Sequence, residues 1–138
     1  MTTQSYRARW AFVDVRPTDD GGLVVQDGRI VRLFHGRSEP AVDLGDVAVL
    51  PGFVNAHTHL DLSGSPERTP LGGSFADWLR GVVAQRRVLP VDQLAQAIRQ
   101  AIEASIRGGA AFLGDIAVGE ASQPLLDAAG LPSLVFRE

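Results

Sequence analysis

The sequence predicts a mixed α/β protein in two parts, and three observations carry that prediction. Before residue 50, short apolar runs are separated by Gly, Asp and Pro, the pattern of a small antiparallel β domain. After Pro51-Gly52, strand-like runs alternate with runs at helical spacing, the pattern of βα units on a parallel sheet. The 138 residues are 45% hydrophobic and 21% charged, which is globular composition with room for little more than one core. Residues 1–50 therefore read as an incomplete, β-sandwich-like domain and residues 51–138 as the opening part of a parallel α/β domain.

The elements follow in order. Tyr6 to Val15 is rich in aromatic and β-branched residues and ends at Arg16-Pro17, before an expected polar turn at Asp19-Asp20-Gly21-Gly22. Leu23 to Gln26 and Arg29 to Leu33 flank Asp27-Gly28, a dipeptide that suits the positive φ angles of a type I′ hairpin turn. A looser stretch from His35 to Pro40 leads to two short strands, Ala41 to Leu44 and Val47 to Leu50. Phe53 to Leu60 is the first strand of the second part. Ser74 caps a helix that has a carboxylate, Asp77, three residues on. Phe75, Trp78, Leu79, Val82 and Val83 share one face of it, which predicts core packing. A second helix runs from Asp92 to Ile106 and stops at Gly108-Gly109; Ala110 to Ile116 is the next strand. Ser122 to Ala129 is a short helix ended by Gly130, and Leu134 to Phe136 begins a third strand. A third strand with no helix after it predicts that the chain is incomplete.

Composition excludes several chemistries. There is no cysteine, so disulfides, thiolate metal sites and a cysteine nucleophile are absent. There is no lysine, so neither a Schiff base nor a carbamylated bridging lysine can come from this chain. Thirteen basic and sixteen acidic residues, scattered and net −3, argue against a nucleic-acid partner. No apolar run approaches the roughly 20 residues of a membrane helix, and no leader precedes the first strand, so a cytoplasmic protein with a small-molecule substrate and no membrane partner is expected.

His57-Thr58-His59 is the one segment with metal-ligand character. On a strand, residues i and i+2 share a face about 7 Å apart, so both imidazoles can converge on one ion. Strict alternation extends that face to Asn55 and Asp61, with Val54, Ala56, Thr58 and Leu60 on the other. The competing reading is a pair of exposed or hydrogen-bonded histidines at a sheet edge. Asp61 and Asp115 would orient a ligand or line the pocket, or else act as ordinary loop caps. Glu138 ends the third strand, where such loops gather. Trp78, with Phe75, would wall a pocket if it did not pack in the core. His35 reads as a surface residue.

Val49 to Leu60 resembles the metal-binding signature of the amidohydrolase superfamily, in which an apolar-Pro-Gly-apolar-apolar-x-x-His-x-His segment forms the first barrel strand. The Asp27 to Val31 hairpin and Asp43-Leu44-Gly45 look like that family's small N-terminal β domain. Gly108-Gly109 leading to Gly114-Asp115-Ile116 is similar too, with Ala110 and Ala111 where members often carry threonine. The likeness is greatest to the deaminase and chlorohydrolase branch, which holds cytosine-deaminase-like, guanine-deaminase-like and aminodeoxyfutalosine-deaminase-like enzymes. It implies a (β/α)8 TIM barrel of about 250 residues, of which this chain carries the first three βα units. It implies one divalent metal ion, zinc ahead of iron, on His57 and His59. A third histidine, an aspartate and the general acid/base would lie beyond Glu138. The implied reaction is hydrolysis of a non-peptide C–N bond, deamination of a heterocyclic or nucleoside-like substrate by metal-bound hydroxide. The alternatives are a cyclic-amide hydrolase of the same superfamily and a non-catalytic remnant. The unfinished sheet edges predict self-association into a homo-oligomer.

Overall fold

The computed structural model of the chain describes residues 1–12, 17–36, 40–63 and 73–137. The chain divides into two compact units, Met1–Pro51 and Gly52–Glu138. The architecture is mixed α/β.

In the first unit, β1 (Thr3–Phe12), β2 (Pro17–Gln26) and β3 (Arg29–His35) form an antiparallel meander. The two-residue connection is the predicted one: Asp27 and Gly28 both have positive φ, 48° and 78°, as a type I′ turn requires. Two expectations are corrected. Asp19-Asp20-Gly21-Gly22 is not a turn, because β2 begins at Pro17 and carries those residues in register against β1. Gly22 lies opposite Phe34, whose ring occupies the space a Cβ would take, so the glycine reflects cross-strand packing and not chain reversal. The domain is also not purely antiparallel. The short strands β4 (Val42–Asp43) and β5 (Ala48–Val49) both pair parallel to β1. In the β4 pairing the Arg7 guanidinium lies 2.6 Å from the carboxylate of its register partner Asp43. Among the described residues the unit is one five-stranded sheet and not the two facing layers of a sandwich.

The second unit opens with β6 (Phe53–Thr58), followed by a 3₁₀ turn, Leu60–Leu62. Next come α1 (Phe75–Val88), α2 (Val91–Arg107), β7 (Ala110–Ala117), α3 (Ser122–Ala129) and β8 (Ser133–Arg137). The three strands are parallel in the order β6-β7-β8. α1 starts on the predicted capping box: the Asp77 N–H donates to the Ser74 hydroxyl, and the Ser74 N–H donates to the Asp77 carboxylate. α3 ends where Gly130 turns left-handed, φ 65°.

The core of this unit is Leu60, Ile98, Ile102, Leu113, Leu126 and Leu131, so α2 and α3 lie on the face of β7 that carries Leu113. Among the described residues the predicted packing of the α1 face is met by Val82 alone. Val82 is buried, but Phe75 is 74% exposed and Trp78 38%, and their tilted rings meet with centres 5.6 Å apart. Two glycines set the spacing of β6 and β7. A Cβ on Gly114 would stand 2.5 Å from the carbonyl oxygen of Ala56, and one on Gly52 would stand 2.4 Å from the Cβ of Ala111. No described helix is long and apolar enough to cross a membrane.

Candidate metal centre

β6 delivers His57 within its last residues, and His59 follows at the junction with the 3₁₀ turn. The two imidazole centres are 5.2 Å apart with their planes at 69°. His57 is exposed and His59 half-buried. That spacing passes a simple test. A zinc ion about 2.0–2.1 Å from one nitrogen of each ring, at a tetrahedral angle, puts the two ring centres about 5 Å apart. The separation of the ring centres is the one that two imidazoles on a single ion would have. Among the described residues no third His, Asp or Glu joins them to complete a ligand set.

The other expected site residues take places that the backbone explains. The β6–β7 register shifts between Phe53 and Val54 and again between Asn55 and Thr58, so the single polar face drawn from strict alternation does not hold. Asn55 turns its amide oxygen back to accept the His57 N–H at 3.2 Å, which steadies the strand at the first histidine. Asp61 is in the 3₁₀ turn and not on the strand. It is 4% exposed, and its carboxylate meets the Arg86 guanidinium of α1 at 2.6 Å and accepts the Val118 N–H at 3.4 Å. Asp115, fully buried on β7, accepts the Leu60 N–H at 2.9 Å. Asp115 thus holds the peptide that follows His59, and Asp61 ties the turn after His59 to α1 and to the end of β7. Trp78 sits on α1, against Phe75. Glu138 lies outside the described residues. His35 ends β3, exposed, in the other unit.

Sequence reasoning missed Arg86 and Val118. Arg86 lies on the half-buried side of α1, and only the pairing with a carboxylate 25 positions earlier in the chain distinguishes it from its neighbour Arg87, which is exposed. Among the described residues, one oxygen of Asp61, one of Asp115, Nε of Arg86 and the Ser122 hydroxyl are buried without a hydrogen-bond partner. Four such groups at one end of a small sheet mark it as a polar interior, where most buried polar atoms of a protein would be paired.

The comparisons with known proteins point one way. Imidazolonepropionase from Micrococcus luteus is 33% identical over 107 residues, covering 71% of this chain and 27% of that enzyme. A 5-methylthioadenosine/S-adenosylhomocysteine deaminase from Nitratidesulfovibrio vulgaris is 30% identical over 128 residues, covering 84% of this chain and 28% of that enzyme. Among solved structures, the Helicobacter pylori aminofutalosine deaminase in complex with methylthio-coformycin superposes with a TM-score of 0.77 at 26% identity, over 97% of this chain and 35% of that one. The chain thus spans between a quarter and about a third of the length of these proteins. Residues 48–135, which contain the histidine pair, Asp61, Arg86 and Asp115, match the amidohydrolase family model, and the chain belongs to that family.

Proposed function

We propose that the protein carrying this chain is a metal-dependent hydrolase of non-peptide C–N bonds, and that it deaminates a heterocyclic or nucleoside-like substrate. The observation that carries this reading is the histidine pair at the end of β6, whose ring centres are 5.2 Å apart, a separation compatible with one shared ion. Family membership and the deaminases among the relatives support it. β6, β7 and β8 with their helices are read as the first three βα units of a (β/α)8 barrel, whose loops at the C-terminal ends of the strands hold the chemistry.

Members of the family use a divalent metal, and His57 and His59 would hold it here, zinc being preferred to iron as an ion that imidazole donors bind well. When bound, the ion supplies a Lewis acid and an activated water for hydrolysis near neutral pH. This chain's own residues bind and orient. The imidazoles must be neutral to act as donors, Asn55 holds the backbone at His57, and Asp115 holds the peptide that follows His59. Trp78 and Phe75 present an exposed aromatic pair suited to a planar substrate. The remaining ligands and the general acid/base come from parts of the protein outside this chain.

A second reading, hydrolysis of a cyclic amide, is favoured by one observation, the 33% identity to an imidazolonepropionase. The test is to supply the purified full-length protein with aminated purines and nucleosides and with cyclic amides, and to measure ammonia release and ring opening separately. Ammonia release that chelation stops supports deamination. Ring opening without ammonia supports the second reading, and neither product with a metal-loaded protein contradicts both.

A further inference from the structure

We propose that Arg86, acting through Asp61, is a positioning residue for the metal ligand His59. The inference rests on the metal reading above and adds a residue that no ligand motif contains. The backbone around His59 is held at successive points. Its carbonyl accepts the Leu62 N–H at 3.1 Å, closing the 3₁₀ turn. The N–H on the other side of the same peptide, that of Leu60, donates to the buried carboxylate of Asp115. The Leu60 side chain, 1% exposed, is sunk in the core beneath the turn. One residue on, Asp61 joins three elements: the turn itself, α1 through Arg86 and the end of β7 through the Val118 N–H.

These contacts fix His59 at φ −125° and ψ 84°, the conformation from which its ring meets that of His57. The tightest tether from a distant element is the Asp61–Arg86 pair. Its side chains are 5% and 19% exposed, so water screens it little, and removing either partner leaves a buried charge beside the turn. The expected consequence is a His59 ring that no longer holds its place, and hence weaker metal binding, while the rest of the unit keeps its core.

The experiment measures zinc affinity by chelator competition in the full-length protein, for wild type, Asp61→Asn, Arg86→Gln, the double variant, Arg86→Lys and His57→Ala. Each single change at Asp61 or Arg86 is expected to weaken zinc binding about 10- to 100-fold, the usual effect of losing a group that orients a ligand. The double variant should be no weaker than the weaker single one, since Arg86 acts through Asp61. Arg86→Lys, which keeps the charge and a donor, should recover part of the loss. Affinities within about twofold of wild type in Asp61→Asn and Arg86→Gln, with zinc binding lost in His57→Ala, overturn this proposal and leave the metal reading standing. Zinc binding that His57→Ala does not reduce overturns the metal reading and this proposal with it. Amide hydrogen exchange on metal-free wild type needs no variant that might misfold. Protected Leu60 and Val118 amides support a brace formed before the metal arrives, and unprotected ones overturn it.

Discussion

The carboxylate of Asp115 accepts the N–H of Leu60 at 2.9 Å, across 55 residues of chain, and so ties β7 to the peptide that leaves His59. Both groups are buried, so that N–H has no water to turn to if the carboxylate is lost. Asp115→Ala should therefore destabilise the protein by about 1–3 kcal/mol, the cost of a stranded buried donor, whereas Asp115→Asn keeps an acceptor and should cost less. Denaturant unfolding of both variants checks this; equal losses would show that the charge and not the hydrogen bond matters.

Gly114 tests how closely β6 and β7 must approach. An added Cβ would meet backbone, the Ala56 carbonyl oxygen at 2.5 Å and its carbon at 2.9 Å, which cannot swing aside as a side chain could. Gly114→Ala should cost about 1–3 kcal/mol or more and disturb the strand that carries His57. Gly119→Ala, in open space, should leave unfolding unchanged and serves as the control.

The cap of α1 gives a pH dependence. The Ser74 hydroxyl, first, and the Ser74 backbone N–H hold the Asp77 carboxyl below its ordinary value of 3.8, with Arg80 adding to the same effect. A folded-state value below the unfolded one means that the stabilisation is full above the unfolded value and disappears as pH falls through the folded one. Amide protection in the first turn of α1, corrected for the intrinsic pH dependence of exchange, should therefore fall on acidification below about pH 4. Ser74→Ala should raise exchange there at neutral pH and flatten the acid dependence; a dependence unchanged in that variant would contradict the assignment.

The isolated 138-residue chain should show no deaminase turnover, since its described residues bring only two imidazoles together. It should also associate. β6 and β8 are the edges of the three-stranded sheet, and Phe53, Val54, Leu134 and Phe136 on them are each 49–67% exposed. Light scattering and an ammonia assay on the purified chain check both; a monodisperse, active chain would contradict them.

Local signals were legible in the sequence, and long-range ones were not. Asp27-Gly28, the Ser74–Asp77 box and Gly130 each encode a conformation within a few residues, and each is found where the pattern places it. The extent of β2 was hidden because Gly21 and Gly22 carry turn-like composition for a cross-strand reason, the close approach of Ala11 and Phe34. The parallel pairing of β4 sets Asp43 beside Arg7, far away in sequence. At the site, the nearness of the His57 and His59 rings, with centres 5.2 Å apart, follows from two positions separated by one residue, even though His59 lies past the end of β6. The fate of Asp61 was not legible, because the strand ends before it and its partner, Arg86, is read only from the packed helix.

The most direct test of the account is the metal content of the purified full-length protein and of its His57→Ala and His59→Ala variants, each checked for folding by circular dichroism. The account predicts a bound divalent ion, zinc, in the wild type and its loss from both folded variants. A metal-free wild type that takes up no added zinc, or variants that keep the ion, would contradict it.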